Sequence, residues 1–196
     1  MLYTKNPRDA FDKLSSLCDW DKAKNPLFCL NLDISDMKDF TVETGLWPKE
    51  ALEFYSKMNL CQSTTNEDYL KYNVDYRGGG QGDYSFNMKY KIANVIDCLS
   101  KFSDSKRAFI DIPNEPVVDH KMTDKIKCLR EIHFYRTCIK GGNQLNTNVF
   151  VRAQAVDIFP KNIHFIGSLM ELVAESLNWD VGACQYHATH LVGNRD

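Results

Sequence analysis

Four residues that handle anions and protons lie within residues 129–194, namely His133, Arg152, Asn162 and His190. The guanidinium of Arg152 is a planar fork of donors that suits a phosphate. The strand around it is apolar, so burying this charge is costly unless an anion or a partner receives it. The amide of Asn162 both donates and accepts, and a histidine can serve as acid or base near neutral pH. Together they predict a site for an anionic, hydrogen-bonding ligand.

The surrounding sequence predicts the elements that position these residues. Apolar residues at helical spacing predict helices at 7–17, 48–59, 90–102 and 163–177. The last is apolar on more than one side, as expected of a helix deep in the core, and Asn162 would be its N-cap. Short apolar runs predict strands at 27–33, 108–112, 132–139 and 149–156, the last two forming a hairpin through Gly141-Gly142. In strand 149–156 the period of two places Asn148, Phe150, Arg152 and Gln154 on one face.

The bulk composition excludes several classes of protein. The chain has 196 residues, a size typical of one domain, and we expect a single domain over 1–196 in which 1–66 is the least interpretable part. Its net charge of −2 argues against non-specific nucleic-acid binding. No apolar run reaches the ~20 residues of a membrane span, and the N-terminus lacks the apolar core of a signal peptide. Seven dispersed cysteines fit buried thiols, and we expect a cytoplasmic protein.

Six motifs, in order, carry a resemblance to a known family. They are Tyr69-Leu-Lys-Tyr-Asn73, Gly82-Asp-Tyr84, Ser105-Lys-Arg-Ala108, Val151-Arg-Ala153, Phe159-Pro-Lys-Asn-Ile163 and Thr189-His-Leu-Val-Gly-Asn194. In order and spacing they resemble thymidylate synthase and its deoxypyrimidine hydroxymethylase relatives, over about two-thirds of the chain. The resemblance implies a mixed α/β fold, with a large mixed sheet packed on a buried central helix, and a homodimer formed through sheet faces.

The resemblance also implies roles for individual residues. Arg152 would bind the phosphate of a pyrimidine nucleotide, and Arg107 would reach the same phosphate from the partner subunit of the dimer. Asn162 would hydrogen-bond the pyrimidine edge, and His190 would lie near the sugar hydroxyl. The pair His187-x-x-His190 has no further ligands at a suitable spacing, so we expect no metal.

The nucleophile is where the sequence departs from the family. Counting back from Arg152, His133 falls on the histidine that follows the catalytic cysteine, and Ile132 falls on the cysteine itself. Family catalysis needs a thiolate that attacks the pyrimidine ring and activates the neighbouring carbon. Cys128 and Cys138 are each displaced from that position, and either would have to substitute. The sequence ends at Asp196, where the family continues into a segment that closes over folate, and we expect that lid to be lacking.

Three hypotheses follow. The first is a pyrimidine-nucleotide-binding homologue that has lost folate-dependent methyl transfer, requires no cofactor, and sequesters or senses its ligand. The second is an active pyrimidine C5 methyl- or hydroxymethyltransferase that uses methylene-tetrahydrofolate and a non-standard catalytic residue, with His133 or His190 as acid or base. The third is a structural module in which the site is a relic.

Overall fold

The computed structural model describes residues 1–18, 27–72, 82–114, 119, 121 and 126–193. Its helices are α1 (Pro7–Leu17), α2 (Lys49–Asn59), α3 (Asn66–Tyr72), α4 (Met88–Lys101) and α5 (Phe159–Leu177). Its strands are β1 (Leu2–Thr4), β2 (Leu27–Ile34), β3 (Phe109–Asp111), β4 (Leu129–Ile139), β5 (Gly142–Ala155) and β6 (Asp180–Val192). Each helix and strand expected from the sequence pattern is present among these elements. Their ends shift by a few residues, and β5 begins much earlier than expected.

The six strands form one sheet in the order β1-β2-β6-β5-β4-β3. Two neighbouring pairs, β1 with β2 and β5 with β6, are parallel, and the other three pairs are antiparallel. The β4–β5 hairpin forms through Gly141, whose positive φ of 107° favours glycine. The prediction of a mixed α/β fold with a large mixed sheet is confirmed.

The helix α5 is the centre of the hydrophobic core. Because β5 and β6 run parallel, the chain must cross over the sheet between them, and α5 makes this crossing. Its core side chains, Ile163, Ile166, Met170 and Val173, are fully buried. At Gly167 an added Cβ would overlap the ring of Phe40, so only glycine allows this close approach. Among the described helices, none is both long and apolar enough to cross a membrane.

The start of α5 differs from the expectation. A 3₁₀ turn at Val156–Ile158 leads directly into the helix, which begins at Phe159 with Pro160 in its first turn. Asn162 therefore lies inside the first helical turn, and its prediction as the N-cap is wrong. This position leaves the Asn162 amide available for contacts other than capping.

The sheet face opposite α5 carries a row of four rings, one from each of four adjacent strands. Phe109 stacks on His133 at 5.4 Å between ring centroids, His133 meets Phe150 edge-on at 5.8 Å, and Phe150 stacks on His187 at 5.0 Å. His187 continues the line through a hydrogen bond between its Nδ1 and the Oδ1 of Asn31 on β2. Phe109 is 43% exposed and Phe150 is 42% exposed. We call these four rings the ring row.

Candidate functional site

The side chains of Cys128 and Arg152 are in contact. The backbone N–H of Arg152 donates to the carbonyl oxygen of Cys128 at 2.8 Å, which places the two residues side by side at the start of β4. The Nη2 of Arg152 then donates to the Sγ of Cys128 at 3.6 Å. A thiolate is the nucleophilic form of cysteine, and a neighbouring arginine is one of the groups that stabilise it. The structure therefore places a thiol within hydrogen-bonding reach of a guanidinium.

A β-bulge in β4 lies beside the contact between Cys128 and Arg152. Leu129 pairs with Val151, but Glu131 pairs with Phe150, so Arg130 is an extra residue in β4. Ile132 is fully buried, pairs with Val149 and Ile110, and belongs to the hydrophobic core. A residue there has no access to a ligand. The cysteine that meets Arg152 is Cys128.

The other two candidates for chemistry on β4 lie farther away. His133 pairs with Asn148, four positions along β5 from Arg152, which is about 13 Å at the usual strand rise. Its Nε2 lies 2.9 Å from the Oε2 of Glu131, and its ring is part of the ring row. Cys138 lies at the far end of β4, where its Sγ contacts the Oδ1 of Asn143. The structure brings neither residue to the Cys128–Arg152 pair.

A cleft of about 480 Å³ opens on the sheet face at Arg152, and Cys128, Asn162 and His190 are not among its described lining residues. Its walls come from β2, β4, β5 and β6, and include Asn31, Arg130, Phe150, Arg152, His187 and Thr189. Arg152 is an exposed residue, so the expected cost of burying it does not arise, and that argument for an anion was wrong. Its guanidinium nevertheless lines the cleft and bonds to a thiol in place of a carboxylate. Among the described residues of this wall, none is Asp or Glu.

Asn162 is held by a buried network that fixes the direction of its amide. Gln154 donates through Nε2 to the carbonyl oxygen of Ala155 at 2.6 Å, which identifies its Oε1 as the acceptor. That Oε1 accepts from Asn162 Nδ2 at 2.9 Å and from the hydroxyl of Tyr186. The Oδ1 of Asn162 is buried and has no hydrogen-bond partner. The network thus presents one acceptor that a ligand N–H would satisfy.

Two further tyrosines lie close to Cys128. Tyr55 donates its hydroxyl hydrogen to the carbonyl oxygen of Gly82 at 2.8 Å, and both Tyr55 and Tyr84 are buried. Burial raises the pKa of Tyr84, with Cys128 raising it further and Arg152 opposing the shift. Burial likewise raises the pKa of Tyr55 and of Tyr186. At neutral pH these tyrosines are therefore uncharged, so they act as hydrogen-bonding groups beside the thiol.

The remaining predicted residues divide into one near the pair and one distant from it. His190 has its Nδ1 3.3 Å from the carbonyl oxygen of Arg152, so it lies beside the site on β6. Arg107 is exposed in the turn before β3, which is the edge strand on the far side of the sheet from β1. It is not among the described residues that line the cleft. Asn194 lies outside the described residues.

Four polar residues of this region were missed by the sequence interpretation as site residues: Arg130, Gln154, Tyr84 and Tyr186. Gln154 was expected on the same face as Arg152, and instead it is buried against Asn162 and Tyr186. Tyr84 fell within a motif that had been noted without a role. For Arg130 the available signal was a second arginine near Arg152 in the hairpin, but its orientation depends on the bulge.

No protein family and no curated protein matches this sequence. The fold itself is that of thymidylate synthase: a mixed sheet packed on a buried crossover helix. One such solved structure is thymidylate synthase from T4 phage, with a TM-score of 0.67. The two sequences are 17% identical, and the match covers 96% of this chain and 77% of the phage protein. At this identity the likeness defines the fold and leaves the activity open.

Proposed function

We propose that this protein is a pyrimidine-nucleotide C5 transferase in which Cys128 is the nucleophile. The observation that carries the proposal is the contact between Cys128 Sγ and the guanidinium of Arg152. The resemblance to thymidylate synthase requires a thiol at the nucleotide site, and Cys128 provides one beside the residue expected to bind phosphate. Of the two hypotheses that retain nucleotide binding, this geometry favours the active enzyme.

We expect the nucleotide to bind through Arg152, Asn162 and His190. The cleft volume of about 480 Å³ is within the range of small-molecule sites. Arg152, on the wall of this cleft, would bind the phosphate. Asn162 lies outside the described lining of the cleft, and its buried Oδ1 would accept a hydrogen bond from the ring N–H of a uracil that enters beyond it. His190 would lie beside the sugar. The preferred substrate is therefore a deoxyuridine monophosphate, whose N3 carries a hydrogen where that of cytosine does not.

The chemical step assigned to the chain is the activation of C5. The thiolate of Cys128 forms a bond to C6 of the pyrimidine, and the electron pair of the C5–C6 double bond moves onto C5 and the C4 carbonyl. C5 then takes a proton from water. Loss of the original C5 hydrogen and departure of the thiolate restore the ring. The one-carbon donor that the resemblance implies is methylene-tetrahydrofolate, and the described residues identify no surface for it.

The exchange of the C5 hydrogen tests this function without a folate. The protein is incubated with dUMP that carries deuterium at C5, and loss of the label to water is followed by NMR, with dCMP as the comparison. Exchange from dUMP supports the proposal. If calorimetry shows that dUMP binds but no exchange occurs with or without methylene-tetrahydrofolate, the protein binds the nucleotide without modifying it. If neither nucleotide binds, the result would favour the third hypothesis, a structural module without a functional site.

Nucleotide binding without turnover is the second candidate, and one observation favours it. Replacement at C5 requires a base that removes the ring hydrogen, and among the described residues lining the cleft there is no carboxylate. His190 is the nearest predicted acid or base to the Cys128–Arg152 pair. If His190 does not exchange protons with the substrate, the site would hold a nucleotide and leave it unchanged.

We also propose that two copies associate through the ring row. The row places two half-exposed phenylalanine rings, joined through His133, on an open sheet face, and a second copy on this face would bury them. Phe150 and His187 belong both to the ring row and to the cleft wall, so a partner on this face would also border the cleft.

A further inference from the structure

Arg130 is the extra residue of the β4 bulge and a second cation on the wall of the cleft. Bulges re-aim a side chain relative to its strand. Here the bulge lets Arg130 line the same cleft as Arg152, although the two residues come from different strands. The carboxylate next to it in sequence, Glu131, contacts His133 of the ring row.

The Nη1 of Arg130 is buried and has no hydrogen-bond partner. A buried donor left without a partner is unfavourable, and this one belongs to a group that carries a full positive charge. Arg130 and Arg152 both line the cleft, and among the described residues of its wall no carboxylate offsets their charges. Such a site is satisfied by an anion that brings several acceptor oxygens.

We infer that Arg130 is a phosphate ligand, and that with Arg152 it forms a phosphate subsite from one chain alone. The ligand class is a phosphomonoester, which carries close to two negative charges at neutral pH and so balances two guanidiniums. This inference deepens the proposed function but requires only binding. It differs from the arrangement implied by the resemblance, in which Arg107 of a partner subunit supplies the second guanidinium.

Arg130 and Arg152 differ in the hydrogen-bond partners that they have within the chain. One Nη of Arg152 is engaged with the Sγ of Cys128, whereas the Nη1 of Arg130 has no partner. Arg130 would turn this unsatisfied donor towards the phosphate, and Arg152 would contact both the thiol and the anion. Arg107 lies in the turn before β3 and does not line the cleft of its own chain.

The test measures the contribution of the phosphate to affinity in matched variants. Calorimetry compares dUMP with deoxyuridine, and methyl phosphate serves as a probe without a base. The Arg130→Gln variant should bind dUMP at least ~10-fold more weakly, the effect expected on losing one hydrogen bond to a charged group. Its affinity for deoxyuridine should not change. Arg130→Lys should recover part of the loss, and Arg107→Gln should bind dUMP like the unaltered protein.

Each other outcome has a defined meaning. Equal dUMP affinity in Arg130→Gln and the unaltered protein would overturn the inference, and so would absence of binding to both dUMP and methyl phosphate. A loss in Arg107→Gln as large as that in Arg130→Gln would overturn the one-chain subsite. Arg130-dependent binding of dUMP or methyl phosphate without C5 exchange would sustain this inference while the proposed function fails. Because Arg130→Gln removes an unsatisfied donor, the variant should unfold no more readily than the parent, which a melting curve checks.

Discussion

The guanidinium of Arg152 donates a hydrogen bond to the Sγ of Cys128 across the β4–β5 pair, at 3.6 Å. The backbone joins the same two residues through a second hydrogen bond of 2.8 Å. Because the backbone bond fixes their relative position, the side-chain contact does not depend on a flexible loop. This geometry connects the proposed nucleophile to the proposed phosphate ligand within one hairpin.

The first prediction concerns the reactivity of this thiol. Replacing Arg152 with Gln should slow the alkylation of Cys128 by iodoacetamide about tenfold, since a hydrogen bond to a charged group is worth ~1.5–3 kcal/mol. Mass spectrometry of the labelled peptides gives the rate. Cys138, which is exposed at the far end of β4, provides an internal control whose rate should stay constant. Equal Cys128 rates in the two proteins would remove the argument for an activated thiol.

The second prediction concerns the choice of base. Gln154→Met keeps the length of the side chain but removes the acceptor that orients Asn162, so the preference for dUMP over dCMP should fall roughly tenfold. Competition binding measures this ratio. Tyr186→Phe is the matched control, because it removes the other donor to Gln154 and leaves the bond from Asn162 in place. An unchanged ratio in Gln154→Met, or an equal fall in both variants, would contradict the role of Gln154.

The third prediction concerns stability in acid. His164 on α5 is buried, its Nδ1 lies 2.7 Å from the hydroxyl of Ser56, and burial lowers its pKa to about 4, with Lys49 adding to the shift. An unfolded histidine titrates near ~6.5, so the unfolded chain binds a proton that the folded chain excludes. As pH falls from ~6.5 towards 4, the free energy of unfolding should therefore drop by about 3 kcal/mol.

Urea unfolding at pH 5 and pH 7.5 checks the contribution of His164. His164→Gln keeps an acceptor for Ser56 and cannot take up a proton, so its stability should change less over this interval than that of the parent. Parallel losses in both proteins would show that other groups carry the acid sensitivity.

The fourth prediction concerns association through the ring row. Phe109→Asp places a charge at one end of the row without touching the described cleft wall, and it should convert a dimer to a monomer. Tyr90→Asp, at a residue 80% exposed on α4, is the control and should leave the mass unchanged. Sedimentation velocity reports the state. A parent protein that is monomeric at tens of micromolar would exclude this interface.

The elements around the site were predictable because their patterns are local. Short apolar runs predicted the strands of the β4–β5 hairpin, and helical apolar spacing predicted the buried α5. The Gly141-Gly142 pair predicted the turn between the two strands. The parallel pairing of β1 with β2 was not foreseen, because it depends on contacts between distant parts of the chain.

The register of the site was not predictable for a different reason. One extra residue at Arg130 shifts the pairing of β4, and the break in the apolar alternation between Leu129 and Ile132 does not tell which residue of β5 lies opposite. The family spacing counted back from Arg152 reaches Ile132, a core residue, whereas the contact of Arg152 with Cys128 depends on strand pairing that the spacing does not show. Likewise, the orientation of Asn162 depends on Gln154 and Tyr186, which meet it only in the folded chain.

The assignment of Cys128 as the nucleophile is tested most directly by comparing C5 hydrogen exchange of dUMP in Cys128→Ser and Cys138→Ser. Cys138→Ser should exchange the hydrogen at the rate of the unaltered protein, whereas Cys128→Ser should bind dUMP but lose exchange by at least ~100-fold. Exchange that persists in Cys128→Ser, or that disappears in Cys138→Ser alone, would contradict the assignment of Cys128 as the nucleophile.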